Sequence, residues 1–188
     1  MANEKTKERI VLGSGLLYIT EFDGEIPEST VIETEANLLG YIKNGATLTY
    51  TPTFYDATDD LGKVAKRIIT EEEAVLSSGV MTWNANTLAA LSATARVTED
   101  TTEGKRTMKI GGVGNYDRKK YLLRFLYSDP ADGDIRVTIV GSNQAGFALA
   151  FVKDQETVTN AEFKALPQDA DGTLILYEED APEIKTGA

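Results

Sequence analysis

The residue types that most often carry enzyme chemistry are scarce in this chain. None of its 188 residues is His or Cys, which removes the Ser-His-Asp and Cys-His arrangements of nucleophilic catalysis and the His- or Cys-based zinc sites. The Gly-Ser-Gly at residues 13–15 lacks the third glycine and the following helix of a dinucleotide-binding fingerprint. The glycine-rich stretch at residues 111–114 has no following Lys-Ser or Lys-Thr, so it predicts a bulge or a hairpin bend and not a phosphate-binding loop.

Carboxylates are the remaining candidates for chemistry, since the chain has 30 Asp and Glu residues. Residues 169–172 resemble part of a calcium loop but lack its later carboxylates and its bidentate Glu, so they predict a turn. The run Glu71, Glu72 and Glu73 could supply half of a carboxylate pair, but it is more typical of a solvated surface. We therefore expect a non-enzymatic protein with no catalytic, cofactor-binding or metal-binding residues.

Composition and charge are those of an acidic globular protein. The formal net charge is −11 and the apolar fraction is 41%, so phosphate backbones should be repelled and a DNA-gripping protein is disfavoured. No apolar run approaches the roughly 20 residues of a membrane span, and residues 1–9 lack the apolar core of a signal peptide. We expect a protein that is synthesised in a cytoplasm and has no membrane partner.

The elements that must position any functional surface are mostly strands. Alternating apolar and polar residues, separated by Gly, Asp and Asn turns, indicate about nine strands. The eleven candidate segments from which these strands would come are residues 16–22, 40–50, two segments within 64–81, 95–99, 105–110, 118–127, 135–140, 147–151, 157–166 and 173–177. One short helix is predicted after Trp83, where Asn84 or Asn86 can cap and Leu88 and Leu91 share a face.

The order of these elements predicts the fold class. The strands show no alternation with helices, which favours an antiparallel β-sandwich or barrel with one short flanking helix. Residues 24–37 are predicted to be a surface loop, and residues 52–66 a long loop between two strands because Pro52 should weaken regular pairing. The predicted organisation is an N-terminal arm (1–9), a single domain (10–178) and an acidic C-terminal arm (179–188).

Several segments in a fixed order carry a family resemblance. They are residues 45–50, 54–55, 59–62, 79–88, 135–141, 145–151, 157–166 and 171–174. Together they resemble the major tail tube protein of long-tailed, non-contractile bacteriophages, and the likeness extends from about residue 10 to residue 178. Related tubes also occur in contractile tails and in phage-tail-like particles.

The resemblance implies a structural protein of the siphophage virion tail. In that family, six copies join their sheets into a ring with one lumenal barrel, and the rings stack into a tube. The implied partners are further copies of the chain, the tape measure protein in the lumen, the tail tip or baseplate, and the tail terminator. DNA passes through to the host without specific binding. A non-catalytic, monomeric β-sandwich binding module is the alternative from another functional class.

Two surfaces follow from the residues and the resemblance together. The segment 52–66 is too apolar for a purely solvated loop, so either its aromatics fold back on the core or it reaches a neighbouring subunit. We predict the second, a contact across the junction between rings, with Phe54, Tyr55, Asp59, Asp60 and Leu61 as the contact residues. A strand face with Thr47, Thr49 and Thr51 is polar and uncharged. Lys120 and Arg124 would grip phosphates if they lined the lumen. We therefore expect them to be paired with carboxylates or placed at subunit contacts.

Overall fold

The chain folds into antiparallel strands, as its alternating pattern predicts. The computed structural model describes residues 11–63 and 65–181. Its strands are β1 (Leu16–Glu21), β2 (Leu38–Gly40), β3 (Ile42–Thr58), β4 (Ala65–Val80), β5 (Arg96–Asp100), β6 (Lys105–Lys109), β7 (Tyr121–Tyr127), β8 (Ile135–Asn143), β9 (Thr159–Ala165) and β10 (Leu176–Glu179). The helices are α1 (Ser29–Ile32) and α2 (Ala85–Ala90), with 3-10 turns at Glu35–Asn37 and Val113–Asn115.

One sheet of eight strands forms the body of the molecule. Its order is β2-β1-β7-β8-β9-β4-β3, with β10 as a further partner of β8, and every pairing is antiparallel. The first and last strands of this order, β2 and β3, are separated in the chain by Tyr41 alone. The chain therefore brings the two ends of the sheet together, although no ladder joins β2 to β3 in the described residues. The all-antiparallel pairing confirms the predicted antiparallel sandwich or barrel.

Strand β8 is the branch point of the sheet. One edge of β8 pairs with β7, so β9 and β10 must share the other edge. Residues 135–138 pair with β10, and residues 141–143 pair with β9. At Gly141 a Cβ atom would lie 2.0 Å from the carbonyl oxygen of Lys164. Only glycine lets these two strands approach so closely.

Two apolar clusters occupy the two faces of the sheet. Residues from non-adjacent strands meet in the inner cluster, which consists of Leu17, Leu39, Ala74, Leu76, Val80, Leu91, Leu123, Ile139, Ala161, Phe163 and Ala165. The outer cluster contains Tyr18, Ile32, Leu122 and Val140. Ile32 belongs to α1 and is fully buried, so the prediction that residues 24–37 form a surface loop is wrong. That segment covers apolar side chains which point away from the inner core.

The predicted helix is present with the expected cap. The Asn84 side chain accepts hydrogen bonds from the backbone N–H groups of Asn86 at 2.8 Å and Thr87 at 3.2 Å. The Thr87 hydroxyl accepts from the Asn84 N–H at 3.4 Å, which completes a capping box. The helix buries Leu88. A separate two-stranded sheet, β5 with β6, follows it.

Two strand predictions are wrong. Residues 147–151 form no strand; the carbonyls of Ala148 and Ala150 accept hydrogen bonds from the side-chain hydroxyls of Thr159 at 3.4 Å and Thr157 at 2.7 Å. Residues 65–80 form one strand and not two, and Glu71 to Glu73 lie within it.

The last described strand reaches into the segment that the sequence assigned to the C-terminal arm. Strand β10 includes Glu179, and the Asp180 N–H donates to the Asp134 carbonyl at 2.9 Å. These contacts attach residues 179 and 180 to the end of β8. The N-terminal arm predicted at residues 1–9 and residues 182–188 of the predicted C-terminal arm lie outside the described residues.

Candidate assembly surface

A long hairpin extends beyond the body of the sheet. Strands β3 and β4 pair from Ile42 and Val80 as far as Thr58 and Ala65. Burial stops at Ala74, and residues 65–73 of β4 are all exposed. The eight residues 51–58 of β3, at about 3.4 Å each, extend roughly 27 Å. The predicted long loop at 52–66 is therefore mostly strand. We call residues 51–73 the projecting hairpin.

Proline is compatible with this strand because of its position at an edge. Pro52 lies opposite Glu72 in the ladder with β4, and in the described part of the chain β3 has no second partner strand. Pro is tolerated on an edge strand, where the missing N–H can face away from the ladder. The ladder is irregular one residue later, between Thr53 and Phe54. The expected weakening is thus confined to a bulge.

One face of the projecting hairpin is organised around Arg67. Its guanidinium donates to both carboxylate oxygens of Asp56, at 2.6 and 2.8 Å, and lies 5.3 Å from the centroid of the Phe54 ring. The hydrogen bond from Arg67 lowers the pKa of Asp56, and the same bond raises the pKa of Arg67. Exposed pairs contribute little to stability. The pair does hold the Phe54 ring beside a fixed cation.

The tip of the projecting hairpin exposes large apolar side chains on both faces. Phe54 pairs with Ile69 on one face and Tyr55 with Ile68 on the other. The exposed fractions are 48% for Phe54, 58% for Tyr55, 46% for Ile68, 52% for Ile69 and 74% for Leu61 in the connecting turn. All five side chains would lose exposed area if this surface met a partner. Monomers rarely leave such groups together in water.

The five predicted contact residues lie in this one region. Phe54 and Tyr55 are in β3, whereas Asp59, Asp60 and Leu61 form the turn, in which the Gly62 N–H donates to the Asp59 carbonyl at 3.0 Å. Whether they contact another subunit stays a prediction. The sequence reasoning missed Ile68 and Ile69. Two adjacent apolar residues across the turn from two adjacent aromatics are the signal that could have identified them.

A polar face runs along the same two strands, from the body of the sheet into the base of the projecting hairpin. The four Thr residues 47, 49, 51 and 53 align with Ser77, Val75, Glu73 and Glu71 of β4, and β9 adds Lys164 and Glu162 beside them. Lys164 forms an ion pair with Glu73. Three carboxylates against one ammonium leave this face with a formal charge of −2. The face is therefore hydrophilic, as the Thr residues predict, but it is weakly acidic and not uncharged because β4 and β9 add carboxylates.

The basic residues of β7 have different environments. Lys120 is exposed just before the strand, whereas Arg124 is only 2% exposed. Arg124 donates to the hydroxyls of Ser29 at 2.7 Å and Thr138 at 2.9 Å. It also forms ion pairs with Glu33 at 3.4 Å and Glu178 at 3.3 Å. Arg124 is thus paired with carboxylates and is not available to grip phosphates.

The sequence motifs that resembled chemical sites form local structure. Asp169 accepts hydrogen bonds from the N–H groups of Asp171 at 3.0 Å and Thr173 at 2.9 Å, so residues 169–172 form the predicted turn. In the described ranges, no group of three or more Asp or Glu residues is arranged to hold a metal ion. Among the same residues, no helix is long and apolar enough to cross a membrane.

Comparisons with known proteins give structural similarity alone. No family model matches the chain, and no curated protein matches it. A chain in the virion of a native gene transfer agent particle is similar with a TM-score of 0.40 and 10% identity, over 86% of this chain and 95% of that chain. A chain in the tail of an empty gene transfer agent particle, with C6 symmetry, has a TM-score of 0.39 and 9% identity, over 87% and 95%. These values are too low to carry an argument about function.

Proposed function

We propose that this chain is a self-assembling structural protein of a phage-like tail, and specifically the subunit of its tube. The proposal is supported by the sequence resemblance and by two surfaces of the chain. The projecting hairpin exposes apolar groups that its own core cannot cover. The polar face offers a hydrophilic wall. In the proposed assembly six copies form a ring, the rings stack, and the tape measure protein and later the DNA occupy the lumen.

The free edge of β3 is suited to joining subunits. It is 17 residues long and is paired on one side only in the part of the chain that the structure describes. A long unpaired edge is an aggregation liability, which pairing with another copy removes. If six copies contributed four strands each, about 24 strands at ~4.8 Å spacing and ~40° tilt would have a circumference of roughly 150 Å. The backbone diameter of about 48 Å leaves room for a duplex.

The observation that carries the proposal is the exposed apolar tip of the projecting hairpin. Replacing residues 54–61 with a Gly/Ser linker should leave a folded monomer that forms neither rings nor tubes. Tyr55→Ser and Leu61→Ser should each weaken assembly, whereas Val113→Ser, which removes an almost fully exposed apolar group elsewhere, should not. Electron microscopy and mass measurement of concentrated protein give the readout. Normal tubes from the linker variant, or a wild type that stays at 20.4 kDa, would refute the proposal.

The proposed conduit must let DNA slide. The polar face is weakly acidic, its single Lys164 is paired with Glu73, and the chain carries a net charge of −11. Duplex affinity at physiological salt should be much weaker than the roughly 1–100 µM of ordinary non-specific binders. A salt titration of tubes with duplex DNA tests this. Tight binding with a steep salt dependence would contradict the conduit mechanism.

A further inference from the structure

The β5–β6 sheet presents a basic face that the body of the protein does not use. The two strands pair Arg96 with Lys109, Val97 with Met108, and Asp100 with Lys105. Val97 and Met108 share one face and are half-buried. Arg96, Lys105 and Lys109 lie on the opposite face and are exposed, and Asp100 is the one carboxylate on that face of the two strands. We call the two strands with this exposed face the basic ribbon.

Positive charge is concentrated around the basic ribbon. Residues 96–120 carry seven Lys and Arg against four Asp and Glu, a net charge of +3 in a chain of −11. Arg106 pairs with Glu99 at 2.7 Å, and Lys119 pairs with Glu21 at 2.7 Å. The cations that point outward, Lys105 and Lys109, form no ion pair with any residue that the structure describes. This excess is available to an acidic partner.

The same chain also carries an acidic surface segment. Residues 21–35 contain six Asp and Glu and no Lys or Arg; we call them the acidic band. Glu33 forms ion pairs with Arg124 and Arg136 of its own chain. Glu25, Glu28 and Glu35 are exposed and form no ion pair within residues 11–63 and 65–181. The buried Ile32 anchors the band, so its charges are displayed on a fixed surface.

We propose that the basic ribbon of one copy docks on the acidic band of a neighbouring copy. This inference rests on the proposed self-assembly and names the surfaces of one of its contacts. Two different patches of opposite charge make a heterologous contact, the type that generates closed rings or open stacks. A second copy is favoured over another acidic partner because each chain supplies both halves in equal number. Such a contact should accelerate encounter and fix register more than it adds affinity.

The first experiment reverses single charges on the ribbon. Lys105→Glu and Lys109→Glu should each raise the protein concentration required for half-maximal assembly by roughly tenfold, because like charges placed opposite each other are strongly unfavourable. Lys153→Glu is the matched control, since Lys153 is exposed, lies outside both surfaces and makes the same change in net charge. Its effect should stay within about twofold. Circular dichroism of the monomers checks that every variant is folded.

The second experiment swaps the charges. A chain with Lys105→Glu and Lys109→Glu, combined with Glu25→Lys and Glu28→Lys, should assemble within about threefold of the wild-type concentration because the pairing is restored in the opposite sense. The inference would be overturned if the ribbon variants behaved like the Lys153→Glu control, or if the charge swap did not restore assembly. Either result would leave the proposal that the chain forms tubes standing. A wild type that never assembles would overturn both proposals.

Discussion

We predict that, of the carboxylates on the outer side of the sheet, Glu33 contributes most to the stability of the fold. It comes from the segment that follows α1, and its side chain is 14% exposed. It accepts hydrogen bonds from Arg136 at 2.7 and 3.3 Å and from Arg124 at 3.4 Å. Its hydrogen bond raises the pKa of Arg136. Glu33→Gln keeps the shape of the side chain and removes the charge shared by two arginines.

The size of the effect follows from what remains after the change. Arg124 is 2% exposed and cannot be rehydrated in place; its other carboxylate is the half-exposed Glu178. Arg136 keeps Asp134 at 2.8 Å and Asp180 at 3.8 Å. A hydrogen bond to a charged group contributes about 1.5–3 kcal/mol, and the Gln amide oxygen still accepts one bond. We expect a loss of about 2–3 kcal/mol, below the roughly 3–5 kcal/mol for fully unpairing a buried ion.

The measurement is chemical denaturation of the monomer at low concentration. For a chain of this length, the expected loss in free energy of unfolding corresponds to a melting temperature lower by roughly 5–10 °C in a thermal denaturation. Glu35→Gln is the control, because it makes the same change in charge at an exposed position two residues away. It should shift the free energy of unfolding by no more than about 0.5 kcal/mol. Equal stabilities for the two variants would refute the assigned role of Glu33.

Three further predictions concern the fold. Asn84→Ala should lower stability by about 1 kcal/mol in the same denaturation assay, because it removes the cap of α2. Gly141→Ala should lose about 3 kcal/mol or fail to fold, since the new methyl group would meet the Lys164 carbonyl. The pKa of Asp169, measured by NMR titration, should lie below 3.8 because Thr173 donates to it, and Thr173→Val should raise it. Since that pKa is lowered on folding, the stabilisation is present above the ordinary aspartate value and is lost as pH falls through the folded value.

Local sequence patterns predicted the regular elements well. The alternation in residues 121–127 and 135–140 identified β7 and β8, and the cap at Asn84 identified α2. These succeed because side-chain period and capping depend on near neighbours in the chain. The pattern at residues 147–151 failed for the opposite reason. Its alternation is also strand-like, but its Ala148 and Ala150 carbonyls accept hydrogen bonds from the side chains of Thr159 and Thr157, which the local period does not predict.

The candidate site could be predicted in part. The apolar character of Phe54, Tyr55 and Leu61 in a polar segment indicates an exposed contact region, and all three are exposed at the tip of the projecting hairpin. That the segment is a strand depends on pairing with Ile68 and Ile69. A single segment carries no information about its partner across a turn. Pro52 therefore indicated a loop, although an edge strand accepts proline.

By itself, the sequence determined that the chain is acidic, lacks His and Cys, and must form many antiparallel strands, because charge, residue type and period belong to the residues themselves. Only the tertiary structure decided which face of each strand is buried and which is exposed. Arg124 reads as one more polar residue of an alternating strand, yet it is buried and bound by carboxylates from α1's flank and β10. The order of the strands in the sheet, the branch at β8 and the reach of the projecting hairpin depend on contacts between distant residues. Such contacts decide which patches are left for another molecule.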